Sequence, residues 1–220
     1  MSRRRAPLLA GLCFALGMVF PVAAPAATHA VPANRVTINA YATVLREYNP
    51  QLPDWQSKDL ARHLLVTAHR WKIDTNMLAA IVSVESSWHT HAMSYAGAIG
   101  LGQLMPGTAA VLGVNPRDPV QNLSGAARYL RGLLDRFHAD PRRYELTFAA
   151  YNAGPQAVEE FGGIPPYGET QNYVVKVLRA WHHLQSAVRL PASAFTVAKE
   201  NAIGASGPDI NYWLGGDGTR

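Results

Sequence analysis

From Thr75 to Pro116 the chain carries a single Asp, Glu, Lys or Arg: Glu85. This isolation constrains the chain more than any other feature, because the carboxylate has no sequence-adjacent cation to pair with. Before it, Met77, Leu78, Ile81 and Val82 recur at helical spacing. Asp74 is a suitable N-cap for that helix. Glu85 follows one turn after Ile81 and Val82, beside the apolar stripe, with Trp88 nearly another turn on. A carboxyl group that loses water without gaining a cation has its pKa pushed up, since desolvation penalises the charged form. An acid still protonated near neutral pH can give a proton to a leaving group. A Glu near the end of an amphipathic helix is more often simply solvated, so the helix alone does not decide.

The residues that follow shift the balance. Ala96 to Gln103 form an apolar loop with glycines at 97, 100 and 102, which lets backbone approach a ligand closely. Pro106 stands where a new helix can start. Far downstream, Ala149-Ala150-Tyr151-Asn152-Ala153-Gly154-Pro155 sets a phenol and an amide at an expected helix end.

The rest of the chain reads as helices. Val36–Tyr48 forms a first helix ended by Pro50 and Pro53, and Gln56–Trp71 a second with Leu60, Leu64, Leu65 and Ala68 in one stripe. Pro106–Leu112 is short and closed by Gly113. Pro119–His138 is long, with Leu123, Ala126, Ala127, Leu130, Leu133, Leu134 and Phe137 on one face. Pro141–Ala153, Pro155–Phe161 and Gly168–Ser186 complete the set. No alternating strand run and no internal repeat is evident, so the expected class is all-α.

Residues 1–26 read as a cleaved signal peptide. Arg3-Arg4-Arg5 are basic, Leu8–Phe20 is apolar, and Ala24-Pro25-Ala26 offers a small-residue cleavage site near Ala26. The expected location is therefore exported, periplasmic or cell-wall associated. Losing those three Arg leaves 17 Lys and Arg against 15 Asp and Glu. That balance, with no basic patch interleaved with aromatics, argues against a nucleic-acid partner. The only cysteine, Cys13, lies inside the signal, so the mature chain has no disulfide or thiol chemistry. Residues 27–55 read as an N-terminal lead-in, 56–188 as the catalytic domain, and 189–220 as a flexible tail containing the apolar island Tyr212-Trp213-Leu214.

The chain resembles the soluble lytic transglycosylase catalytic domain, a relative of goose-type lysozyme, over about residues 60–187. The motifs that carry the resemblance are Glu85-Ser86-Ser87-Trp88, the loop Gly97–Gln103, Met105-Pro106 with Thr108-Ala109, and Ala150–Pro155. Ile164-Pro165-Pro166-Tyr167 and Glu169–Val174 follow in order. The family usually has Asn-Pro where His89-Thr90 stand and Met where Gly102 stands. The resemblance implies a lysozyme-like helical fold and a peptidoglycan substrate. It implies a reaction in which Glu85 protonates the leaving oxygen of a MurNAc–GlcNAc β-1,4 bond and then acts as base. The substrate's N-acetyl oxygen assists, and its 6-hydroxyl attacks in place of water to give a 1,6-anhydro end. Ser86 is expected to support the acid, with Ser94, Gly100, Gln103, Met105, Tyr151, Asn152 and Tyr173 as substrate-binding residues.

The residues themselves agree on one point. Most glycosidases pair two carboxylates across the bond, yet nothing acidic lies between Glu85 and Asp118, and no motif directs Glu145, Glu159, Glu160 or Glu169 inward. His89 and His91 lack carboxylate or Cys co-ligands, and His182 and His183 diverge on a helix. No metal and no cofactor is expected. A muramidase in which water completes the reaction, and a non-catalytic glycan-binding or assembly scaffold, remain the alternatives. The family also includes members that serve a secretion or conjugation assembly. A monomer is assumed.

Overall fold

A computed structural model describes residues 35–188. In chain order its helices are α1 (Arg35–Tyr48), α2 (Asp54–Arg70), α3 (Thr75–Ser86), α4 (Pro106–Leu112), α5 (Pro119–Arg136), α6 (Arg143–Ala153), α7 (Pro155–Glu160) and α8 (Gly168–Ala187). The described residues contain no strand. Two isolated antiparallel bridges, Met93 with Ile99 and Ile99 with Leu104, brace the loop between α3 and α4. The fold is all-α, as the helical periodicity predicts. The signal segment, Cys13, residues 27–34 of the lead-in and residues 189–220 lie outside the described residues.

Helix limits move by one or two residues for local reasons. α2 starts at Asp54 rather than Gln56, because Asp54 joins the first turn and accepts from Lys58 Nζ at 2.7 Å and Arg46 Nη1 at 3.1 Å. α6 starts at Arg143 rather than Pro141, because Asp140 Oδ1 takes the Arg142 N–H at 2.7 Å and holds a turn there.

α3 is the hub. Every residue from Asn76 to Ser83 is buried, and the helix packs against both α2 and α8. Its N-terminus is fixed by Asp74, whose Oδ1 accepts from the Met77 N–H at 2.8 Å and from Trp181 Nε1 on α8 at 3.1 Å. A buried amide, Asn76, accepts the Tyr41 hydroxyl of α1 at 2.8 Å, so that pair carries no unsatisfied polar atom into the core. α1 packs against α2 and α8, and Ile38, Tyr41, Val44 and Leu45 lie in the same core cluster as α3. The boundary expected at residue 55 therefore cuts through one packed core. The sequence alone shows α1 as a helix, but not the surface it covers.

Candidate active site

The site is set by how α3 ends. Ser87 takes a left-handed conformation with φ 47°, and Trp88 follows with φ 62°. Two successive non-glycine residues in that region are held by tertiary contacts. Trp88 is fully buried and donates from Nε1 to Ser83 Oγ at 2.9 Å, pinning the chain reversal to the helix that precedes it. Glu85 is left on the final turn of α3, half-buried, at the edge of a cleft of about 780 Å³.

Two walls enclose that cleft. One is the end of α3 with Trp88 to Ser94 and Gln103. The other is the corner between α1 and α2, at Asn49 to Pro53 and Gln56. Among the described residues Glu85 is the only Asp, Glu, Lys or Arg that lines it. Its Oε1 accepts the Tyr173 hydroxyl of α8 at 2.6 Å. Burial pushes the Glu85 carboxyl up to about 7, against the lowering effect of the Tyr173 hydrogen bond; the charge of Glu169 pushes further upward. Burial and the facing Glu85 hold the Tyr173 phenol well above its ordinary range, so it stays a donor. At neutral pH the carboxyl is divided between its acid and base forms, which suits a group that must first give and then take a proton.

The loop Gly97–Met105 is fixed from behind by Asn122 of α5. The Asn122 amide donates to the carbonyls of Ile99 at 2.7 Å and Pro116 at 2.9 Å, and its Oδ1 accepts the Gly102 N–H at 2.8 Å. The glycines serve this contact. A Cβ at Gly100 would lie 2.5 Å from Asn122 Nδ2 and 2.8 Å from the Pro116 carbonyl oxygen. A Cβ at Gly102 would lie 2.4 Å from the Ala126 Cβ. Gly100, expected to bring backbone close to a ligand, is buried and has Asn122 as its close neighbour. Asn122 escaped the sequence reading because its partners lie up to 23 residues away in the chain.

The other expected residues divide into two groups. Glu85, Ser86, Ser94 and Gln103 line the cleft. Ser86 Oγ, however, donates back to the Val82 carbonyl at 3.2 Å rather than to Glu85. Ser94 Oγ accepts the Ala98 N–H at 3.0 Å, and Gln103 Nε2 donates to the carbonyls of Gly100 at 2.9 Å and Ala92 at 3.3 Å. These groups shape the loop. Tyr151 donates to the Gly102 carbonyl at 3.0 Å, tying α6 to the loop. Asn152 Oδ1 accepts the Thr170 hydroxyl at 2.7 Å, tying the end of α6 to the first turn of α8. Met105 is exposed at the start of α4. Tyr173 makes the direct contact with the acid. His89 and His91 line the cleft, and the described residues contain no group of three or more His, Cys, Asp or Glu placed to hold a metal.

Comparison with known proteins finds relatives of the central part of the chain. The family model described as Transglycosylase SLT domain matches residues 64–174. A membrane-bound lytic murein transglycosylase F of Cellvibrio japonicus is 41% identical over 97 residues, covering 42% of this chain and 20% of that protein. A transglycosylase of Enterobacteria phage PRD1 is 46% identical over 69 residues, covering 31% of this chain and 26% of the phage protein. The chain thus spans a fifth to a quarter of the length of these two relatives. Among solved structures, the 70 kDa soluble lytic transglycosylase of Escherichia coli superposes with a TM-score of 0.52 at 24% identity, over 71% of this chain and 32% of that one. That likeness shows the shared fold.

Proposed function

Because the chain belongs to the transglycosylase SLT domain family, we propose that it is a peptidoglycan lytic transglycosylase that uses Glu85 as its one acid and base. The observation that carries this reading is a lone, half-buried carboxyl in a cleft, raised to about 7 and held by a single phenol. Glu85 gives its proton to the glycosidic oxygen between MurNAc and GlcNAc as the bond from C1 to that oxygen breaks. The acetamido oxygen of the same MurNAc closes on C1 and carries the charge that a second carboxylate would otherwise meet. Glu85, now a carboxylate, takes the proton of the 6-hydroxyl while O6 attacks C1 and displaces the acetamido oxygen. The product ends in a 1,6-anhydro ring, and the acid is restored.

Tyr173 keeps one Glu85 oxygen occupied and oriented, which leaves the other for the leaving group. No second carboxylate lines the cleft among the described residues, which favours this route over a hydrolase that holds a water between two acids. The substrate lies outside the cytoplasm, in keeping with the export signal expected in residues 1–26. We assign the chain to the periplasm or cell wall as a monomer; a secretion or conjugation assembly is one setting for it.

The test is a digest of purified peptidoglycan with the mature protein, read by mass spectrometry. Fragments one water lighter than reducing muropeptides are expected. Reducing fragments would make the enzyme a muramidase, and absence of any fragment would point to a glycan-binding scaffold.

A further inference from the structure

The outer side of α2 carries a charge pattern that the cleft does not use. α1 and α2 pack side by side. The groove between them forms a separate cavity of about 450 Å³, lined by Arg35, Ile38, Asn39, Lys58 and Arg62. Three of these five are cations and none is an acid. The groove shares no lining residue with the cleft. It also lies upstream of residues 64–174, the segment that the family model matches. Two acids reach its cations. Asp54 is held by Lys58 Nζ at 2.7 Å and by Arg46 Nη1 at 3.1 Å, and Asp59 stands 3.9 Å from Arg62 Nη1. Arg35, Arg46, Lys58 and Arg62 therefore exceed Asp54 and Asp59 by two charges. Arg35 is exposed and, among the described residues, makes no ion pair.

Trp55, Lys58, Arg62, Val66 and Arg70 recur three or four residues apart, so they share one face of α2 over about 22 Å. That face meets solvent: Trp55 is 71% exposed and Val66 45%, while Ala61, Leu64 and Ala68 are buried on the opposite side. Cations interleaved with an exposed indole and an aliphatic side chain match the boundary between water and lipid. Phosphates meet the Lys and Arg, and the apolar groups enter the acyl edge. The carboxylates of a peptide would engage the cations but leave Trp55 and Val66 in water. No described helix is long and apolar enough to cross a membrane, so this face would lie on a bilayer rather than span it. We propose that the α1–α2 groove and the outer face of α2 bind an anionic phospholipid surface. A headgroup phosphate sits among Arg35, Lys58 and Arg62, with Trp55 at the acyl edge. The cleft stays open, since no residue of the groove lines it.

The test is co-sedimentation of the mature protein with phosphatidylglycerol vesicles and, separately, with phosphatidylcholine vesicles. Phosphatidylglycerol should bind about thirtyfold more tightly, and the binding should weaken as salt rises. Arg35→Gln combined with Arg62→Gln should lower that affinity about thirtyfold, and Trp55→Ser about tenfold. The thermal midpoint should be unchanged in both variants, because the three side chains are exposed. Measuring variant and wild type in the same chain cancels any contribution from residues outside the groove. Equal binding to the two lipids, or an unchanged affinity in either variant, would overturn the proposal. Displacement of the vesicles by an isolated stem peptide would overturn it as well and make peptide carboxylates the ligand. Fragment release from lipid-free peptidoglycan is read separately and should be the same in the variants as in the wild type.

Discussion

Glu85 and Asp118 bracket a stretch with no other acid, and each stands at a helix end, yet they are opposite in character. Asp118 caps the N-terminus of α5. Its Oδ1 accepts the N–H groups of Gln121 and Val120, each at 2.9 Å, and these bonds hold its carboxyl below the usual carboxylate range. Glu85 stands in the last turn of α3, where the carbonyl ends of the helix disfavour an anion. Among the described residues no N–H donates to it; one phenol does, and burial outweighs that bond. The same functional group is thus a permanent anion at one helix end and a proton carrier at the other. Donor count and water access decide between the two roles.

The largest expected break in that contrast is Glu85→Gln. It keeps the shape and the Tyr173 contact but removes the proton, and should lower fragment release from peptidoglycan by about a hundredfold to ten-thousandfold, with glycan binding retained. Loss of glycan binding in the variant, with no fragment release by the wild type, would favour a scaffold role.

The next effect is on stability. Since the folded-state pKa of Glu85 is raised from 4.5 to about 7, its contribution is fully present below pH 4.5 and is lost as pH rises through about 7. Wild type and Glu85→Gln should therefore have similar unfolding free energies near pH 4. Above pH 7 the variant should be more stable, by up to about 3 kcal/mol, as urea titrations at several pH values would record. Equal stability across that range would mean that the carboxyl is well hydrated.

Asp118→Ala should give the smallest effect, a loss of about 1 kcal/mol from the removed cap. Its sign with pH is the reverse. The folded-state pKa is lowered, so the stabilising contribution is present at neutral pH and lost as pH falls through the folded value. Activity should be retained, because Asp118 does not line the cleft.

Much of this was legible in the residues. Proline at helix starts, glycine at the end of α4 and apolar spacing gave all eight helices to within two residues at each end. The isolation of Glu85 was visible as a gap in the charge pattern. What stayed hidden depends on contacts between distant residues. Tyr173 reaches Glu85 across 88 residues, and nothing local to its helix marks it as the partner of the acid. Asn122 looks like any polar residue of α5, yet it fixes the loop through two hydrogen bonds, to the Ile99 carbonyl and the Gly102 N–H. Ser86, Ser94 and Gln103 were legible as residues of the site. Their local bonds to backbone were not, because short polar side chains compete for nearby backbone groups in ways spacing does not reveal. The wall at Gln51 and Gln56 was hidden for a different reason: the α1–α2 corner reads as a proline-bounded connection, and only the packing of α1 against α2 and α8 brings it to the cleft.

The central claim is that one desolvated carboxyl, moderated by one phenol, is both acid and base. The most direct measurement is a ¹³C NMR titration of the glutamate side-chain carboxyls, with Glu85 assigned by its loss in Glu85→Gln. The account predicts a midpoint near 7 in the wild type and a higher one in Tyr173→Phe, since the lost hydrogen bond favoured the charged form. A wild-type midpoint near the ordinary 4.5, or a midpoint that falls in Tyr173→Phe, would contradict it.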